Sequence, residues 1–190
     1  MENIKGLLII DMQNGSFTSK APRFDAAGVV TRINNLGTIF RGRNFPVIFV
    51  QHDGTGTGVF EKDAFDWQLL ASLKISPDDF MVGKSANDAF YNSELKEILI
   101  ERKVTELVIA GCATDFCVDA TVQSALSRDY NVIVVADGHT TADRPHLGAE
   151  KIIEHYNWVW QNMIATKGRI EVKTFEQIEN EFQKGESLHF

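Results

Sequence analysis

The segment Val108–Leu126 reads VIAGCATDFCVDATVQSAL and passes from a strand pattern to a helix pattern within a few residues. Leu107–Gly111 is continuously apolar, which is typical of a strand buried on both faces of a sheet. Beyond the turn, one helical face of Cys117–Asp129 collects Val118, Thr121, Val122, Ala125 and Leu126. The segment therefore predicts a strand, a tight turn and a helix in direct succession.

The same alternation of strand and helix patterns extends in both directions along the chain. The predicted strands are Gly6–Asp11, Val47–Gln51, Phe80–Val82, Leu107–Gly111, Val132–Asp137 and Ile170–Lys173. The predicted helices are Ala26–Arg43, Ser93–Lys103, Cys117–Asp129, Gly148–Trp160 and Thr174–Phe182. This order predicts a three-layer, doubly wound α/β fold, in which ligands bind beyond the carboxyl ends of the strands.

Length and composition restrict the class of protein. The 190 residues predict a single domain over 1–190, and 44% hydrophobic residues are ordinary for a globular chain. A net charge of −7 argues against broad binding to nucleic acid or anionic membranes. The first residues have no signal-peptide pattern, and no apolar run reaches the length of a membrane span. We therefore expect a cytoplasmic protein with a small-molecule partner, and neither a nucleic-acid nor a membrane partner.

Two cysteines, Cys112 and Cys117, flank the predicted turn. In the first turn of a helix, Cys117 would feel the positive end of the helix dipole, which favours the nucleophilic thiolate. The alternative is a buried structural cysteine, and this interpretation suits Cys112 better. A disulfide between the two is disfavoured by the geometry of so short a connection.

Two further residues follow predicted strands and carry charge. Asp11 closes the first strand, where a partly desolvated carboxylate is useful as a base, although it is equally suited to capping the next loop. Lys84 follows the short third strand and can stabilise a thiolate there, although a solvated loop lysine is the simpler interpretation. The three residues become informative together, because each lies at the end of a strand.

Three segments containing these residues resemble the isochorismatase-like cysteine hydrolases, a superfamily that includes nicotinamidases, carbamoylsarcosine amidohydrolase and streptothricin hydrolase. They are LLIIDMQNGSF, VGKSANDAFYNSEL and VIAGCATDFCVDATVQSAL, and the resemblance extends from about Gly6 to about Val172. It implies a six-stranded, mostly parallel sheet flanked by helices and a catalytic triad of Asp11, Lys84 and Cys117. It also implies a cis peptide between Cys112 and Ala113, which would direct the N–H groups of Ala113 and Cys117 at an oxyanion.

The resemblance implies a cofactor-free hydrolase of small amide, lactam or ureido bonds that acts through a Cys117 thioester. Nicotinamidases of this superfamily bind a metal through an Asp-x-His segment, but Gln51-His52-Asp53-Gly54 departs from that spacing, so we expect no metal. We expect His52 to donate a hydrogen bond in the pocket or to order its loop. The other pocket candidates are Phe17, Phe60, Trp67, Phe90, Phe116 and His139.

Two other functions remain open. One is hydrolysis of a vinyl ether, which the retained Cys117 disfavours because that reaction needs a proton donor and no thiolate. The other is a non-catalytic binding protein on the same scaffold. Family members are commonly oligomeric, so the resemblance implies a homo-oligomer, either a dimer or a tetramer.

Overall fold

A computed structural model describes residues 4–186, and the side chains of residues 4–184. Within this range the strands are β1 (Ile4–Ile10), β2 (Val47–His52), β3 (Phe80–Lys84), β4 (Val104–Cys112), β5 (Asn131–Thr140) and β6 (Ile170–Lys173). The α-helices are α1 (Ala26–Arg41), α2 (Leu95–Glu101), α3 (Asp119–Ser127), α4 (Ala149–Gln161) and α5 (Phe175–Glu186). No described helix is long and apolar enough to cross a bilayer.

The six described strands form one parallel sheet in the order β3-β2-β1-β4-β5-β6. This confirms the predicted α/β fold. The chain builds outward from β1 on one side and then returns to place β4 on its other side. The strand order therefore reverses between β1 and β4, and their carboxyl ends border the crevice where ligands of such sheets bind. The prediction of one domain over 1–190 includes residues 1–3 and 187–190, which lie outside the described residues.

Two apolar layers hold the helices against the sheet. Strand residues alternate between them, since Leu8 and Ile10 face one layer while Leu7 and Ile9 face the other. Helices α2 to α4 cover the first layer and helices α1 and α5 the second. The central strands are thus buried on both faces, which explains their continuously apolar sequences.

Two predicted elements differ from the structure near the site. A π-helical turn, Thr114–Val118, comes between β4 and α3, so Cys117 precedes the α-helix and does not lie in its first turn. Strand β5 continues past the predicted end at Asp137 to Thr140, because a register shift between β4 and β5, with the extra residues in β5, lets Gly111 pair with His139. Both differences arise where β4 ends, and neither was detectable from apolar spacing.

Candidate functional site

Asp11, Lys84 and Cys117 meet at the carboxyl edge of the sheet. Lys84 Nζ lies 2.7 Å from Asp11 Oδ2 and donates a hydrogen bond to Cys117 Sγ at 3.3 Å. The ammonium also donates to the carbonyl oxygen of Ala86 at 2.9 Å. Lys84 therefore touches the carboxylate and the thiol at once.

The backbone has unusual conformations at the carboxyl ends of β1 and β4, which carry Asp11 and lead to Cys117. Asp11 adopts a φ of 47°, a left-handed conformation that is uncommon for a residue with a β-carbon. Gly111 has a φ of 125°, and a β-carbon there would lie 2.2 Å from the carbonyl oxygen of Ile10. Only glycine permits β4 to pass so close to β1 at this point. The peptide bond between Cys112 and Ala113 is cis.

Burial controls the protonation of the carboxylate and the thiol. Desolvation raises the pKa of Asp11 above its ordinary value, and the opposing effects of Lys84 and of the Cys117 thiol are smaller. Burial and the negative charge of Asp11 raise the pKa of Cys117 to about 12. The sequence predicted Cys117 in the first turn of an α-helix, whose dipole favours the thiolate; it lies instead in the π-helical turn before α3, where burial beside Asp11 favours the neutral thiol.

Asp11 retains the capacity to accept a proton. Its second oxygen, Oδ1, is buried and receives no hydrogen bond of ordinary geometry from the described residues. A carboxylate with a raised pKa and an unused oxygen beside a thiol is suited to take a proton and return it.

An open cavity of about 250 Å³ lies above these groups. It is lined by Asp11, Ser16, Arg23, His52, Phe60, Asn87, Cys112, Ala113, Phe116 and Cys117. This volume lies at the small end of the range for ligand sites, so the cavity suits a small substrate.

His52 and Phe60 form one wall of the cavity, as the sequence predicted. Their rings meet edge to face at 5.8 Å between centroids. The Nδ1 atom of His52 is buried and has no hydrogen-bond partner among the described residues. Burial, assisted by Lys84, lowers the pKa of His52, so this wall holds a neutral imidazole at neutral pH.

Phe116 also lines the cavity, and it contacts Arg144, which is itself held by a salt bridge to Asp115. Arg144 binds Asp115 through Nε at 2.7 Å and Nη2 at 2.9 Å, and its guanidinium lies 5.0 Å from the ring centroid of Phe116. Thr141 donates a further hydrogen bond to Asp115 at 2.6 Å. This network joins the π-helical turn Thr114–Val118 to the loop after β5.

Four predicted pocket residues do not line this cavity. Phe17 packs beside α1 and lines a separate apolar groove, and the backbone carbonyl of Trp67 accepts hydrogen bonds from Gln13 and Gln51. Phe90 is buried and stacks on Tyr130. The rings of Phe17 and Phe90 serve packing, the simpler interpretation available from sequence.

His139 is the fourth predicted pocket residue that does not line the cavity, because the extension of β5 includes it in the strand. It is buried against the π-helical turn Thr114–Val118, where its ring nitrogens lie 2.9 Å from Thr114 Oγ1 and 2.9 Å from Asn157 Oδ1. Burial lowers the pKa of His139 to about 4. Its role is therefore to support the turn from below.

Sequence reasoning did not single out Ser16, Arg23 or Asn87. Asn87 lies within the segment VGKSANDAFYNSEL, and its Oδ1 is 3.5 Å from Cys117 Sγ. Its position three residues after Lys84 could have identified it as a site residue. Arg23 lies in a loop without periodicity, and nothing local indicates that it returns to the cavity. Among the described residues, no group of three or more His, Cys, Asp or Glu side chains is arranged to hold a metal.

Comparison with known proteins places this geometry in context. Residues 5–165 match the profile of the Isochorismatase domain. A streptothricin hydrolase of Streptomyces noursei is 29% identical over 142 residues, which cover 75% of this chain but 56% of that protein. The ureidoacrylate amidohydrolase RutB of Methylobacterium radiotolerans is 29% identical over 193 residues and matches 80% of this chain and 74% of its own length.

Solved structures share the fold. A crystal structure of an isochorismatase family protein is 30% identical, has a TM-score of 0.82, and covers 90% of this chain and 98% of its own. A cysteine hydrolase from Pseudomonas syringae pv. phaseolicola 1448A has a TM-score of 0.85 at 20% identity, covering 95% of this chain and 92% of its own.

Proposed function

Because this chain belongs to the isochorismatase family, we propose that it is a cysteine hydrolase that cleaves the C–N bond of a small amide, lactam or ureido compound. The observation that carries the proposal is the contact of one ammonium, Lys84 Nζ, with both Asp11 and Cys117. The activities of the streptothricin hydrolase and of RutB support the class of bond.

The first half of the proposed reaction forms a thioester. As Cys117 Sγ attacks the carbonyl carbon, the thiol proton passes to Asp11, and Lys84 stabilises the negative charge throughout. Ala113 and Cys117 both line the cavity, and we propose their N–H groups as the donors to the tetrahedral oxyanion. The C–N bond then breaks, and the proton on Asp11 goes to the leaving nitrogen.

The second half returns the site to its starting state. A water molecule attacks the thioester carbon while Asp11 takes one of its protons. The C–S bond breaks, the acid leaves, and the proton returns to Cys117. No step requires a cofactor, because the side chains named supply the nucleophile, the base and the charge stabilisation.

The decisive experiment is a hydrolysis screen with a panel of amides, lactams and ureido compounds, comparing the wild type with Cys117→Ala. We expect turnover of at least one class, no turnover by the variant, and an acyl adduct on Cys117 detectable by mass spectrometry after rapid quenching. Arg102→Gln, a substitution in a groove at the opposite edge of the sheet, is the control and should retain activity. Undiminished hydrolysis by Cys117→Ala would exclude the proposed nucleophile.

The same screen tests the two other functions. Turnover of a vinyl ether that survives Cys117→Ala would favour acid catalysis. Ligand binding without turnover of any compound would favour a binding protein. The thiol beside a base supports neither of these, because protonation of carbon and simple binding have no use for a nucleophile.

We also propose that the protein is a cytoplasmic homo-oligomer, a dimer or a tetramer. A reducing compartment suits an enzyme that depends on a free thiol, and both cysteines are free in the structure. Trp158 on α4 is 64% exposed, whereas Trp160 is buried, so the first is the better candidate for a subunit contact. Sedimentation equilibrium of the wild type and of Trp158→Ser would test this, and a monomeric wild type would contradict it.

A further inference from the structure

Among the residues that the structure describes, Arg23 in the cavity wall has no carboxylate partner. Its Nε donates a hydrogen bond to the carbonyl oxygen of Ser16 at 2.5 Å, which fixes the plane of the guanidinium. Within the described residues, its Nη1 and Nη2 atoms donate no hydrogen bond, and no acidic side chain lies within ion-pair distance. The outer edge of the guanidinium is therefore available to a ligand.

The other full charges around the cavity are already paired. Asp11 is paired with Lys84, and Arg144 behind Phe116 is paired with Asp115. Ser16 and Asn87 are uncharged, and burial keeps His52 neutral. The described lining thus has an unbalanced positive charge at Arg23, on the same cavity as the Cys117 thiol.

The positive charge of Arg23 acts on the Cys112 thiol, which lines the same cavity. Burial raises the pKa of the Cys112 thiol to about 12, and Arg23 is the largest influence that opposes this rise. Cys112 adjoins Ala113, one of the candidate oxyanion donors. Because Arg23, Ala113 and Cys117 line the same small cavity, a ligand group bound by Arg23 would lie within a few bonds of a carbonyl held in the reaction position.

We propose that Arg23 binds a carboxylate of the substrate, so that the enzyme selects small amides or ureido compounds that carry an acid group a few bonds from the scissile C–N bond. This inference rests on the proposed function. A guanidinium held through Nε can still present two N–H groups side by side, the arrangement that pairs with both oxygens of a carboxylate. The cavity of about 250 Å³ keeps the distance between the acid group and the reacting carbonyl short.

The test uses two pairs of compounds of nearly equal shape. Succinamate is compared with butanamide, and N-carbamoyl-β-alanine with N-propylurea, so that each pair differs in the carboxylate. The proteins are the wild type, Arg23→Gln and Arg23→Lys, with Arg102→Gln as the charge-matched control. Arg102 lines a groove at the opposite edge of the sheet.

For Arg23→Gln we expect kcat/KM to fall about 10- to 100-fold on the acidic compounds, the range for a lost hydrogen bond to a charged group. On the neutral compounds it should change less than about threefold, which also shows that the variant is folded. Arg23→Lys should recover part of the loss, because it keeps the charge but not the paired geometry. Arg102→Gln should match the wild type on all four compounds.

Two results would overturn the inference. In one, the wild type hydrolyses the neutral compound of a pair as well as the acidic one. In the other, Arg23→Gln slows both members of a pair equally. Either result leaves the proposed hydrolase intact, since turnover that depends on Cys117 persists.

Binding to Cys117→Ala, measured by calorimetry, separates the two proposals. If no compound is hydrolysed but succinamate binds more tightly than butanamide and loses this preference with Arg23→Gln, the carboxylate site stands and the proposed reaction fails. Equal binding of the two compounds would reject the carboxylate site whatever the outcome of the hydrolysis screen.

Discussion

Replacement of Lys84 by Met should destabilise the protein strongly and in a way that depends on pH. The Lys84 side chain is fully buried, and it lies 2.7 Å from Asp11 Oδ2. Removing one partner of a buried ion pair costs about 3–5 kcal/mol, because the other charge is left without compensation. We expect a loss of this size at pH 8, together with loss of hydrolysis.

The loss should shrink as the pH falls. Burial already raises the pKa of Asp11 in the presence of Lys84, and removal of the ammonium raises it further. An acid whose pKa is higher in the folded than in the unfolded state binds more protons when folded, so its unfavourable effect on stability grows as the pH rises between the two values. The slope approaches about 1.4 kcal/mol per pH unit in that window, so Lys84→Met should regain stability on acidification relative to the wild type.

The assay is urea denaturation of four proteins at several values between pH 5 and pH 8. They are the wild type, Lys84→Met, Asp11→Asn and the double variant. The double variant removes both charges and should recover much of the stability that Lys84→Met loses at pH 8, since a neutral pair leaves no buried charge unpaired. If the double variant is as unstable as Lys84→Met, or if the loss is the same at every pH, then packing of the lysine stem and not charge determines the effect.

Three further outcomes follow from other groups near the site. In a Cys112→Ser background, Asp11→Asn should lower the pKa of Cys117 from about 12 by roughly 1–3 units, because it removes a neighbouring negative charge. The pKa is read from thiolate absorbance, and hydrolysis should be lost. An unchanged pKa would show that Asp11 does not act on the thiol. His139 has a folded pKa of about 4, below its unfolded value of about 6.5, so it should withdraw up to about 3 kcal/mol of stability as the pH falls between these values, and His139→Gln should flatten this part of the stability curve. Gly111→Ala should lower the free energy of unfolding by about 3 kcal/mol or more, whereas Gly83→Ala, with open space around its added carbon, should change it by less than about 0.5 kcal/mol. Equal midpoints of urea denaturation for the two variants would contradict the argument that only glycine fits the backbone conformation at position 111.

The sheet and the meeting of Asp11, Lys84 and Cys117 could be predicted because both depend on short-range patterns. A strand buried on both faces reads as an apolar run, and parallel strands end at the same edge. Residues placed at or soon after the ends of β1, β3 and β4 therefore come together without any knowledge of loop shape. The resemblance to the isochorismatase-like cysteine hydrolases implies the same three residues.

The cavity wall could not be predicted in the same way. Phe60 and Phe90 are both aromatic residues near strand ends, but one lines the cavity and the other stacks on Tyr130 in the core. Arg23 comes from a loop whose path depends on tertiary contacts, including the hydrogen bond to Ser16. His139 was misplaced because a single register shift extended β5 by several residues. Each of these outcomes depends on interactions between segments distant in sequence.

In the proposed reaction, the charge balance of the site explains how a thiol with a raised pKa can serve as the nucleophile. Burial raises the pKa of both Asp11 and Cys117, since it disfavours each negative charge separately. Transfer of the proton from Cys117 to Asp11, however, creates no additional charge, because one negative charge moves from oxygen to sulfur. Lys84 contacts both atoms, at 2.7 Å and 3.3 Å, and so compensates the charge before and after the transfer. Desolvation therefore opposes loss of the thiol proton to solvent far more than it opposes transfer of that proton from Cys117 to Asp11. The thiolate can thus form within the site at the moment when it attacks a bound carbonyl.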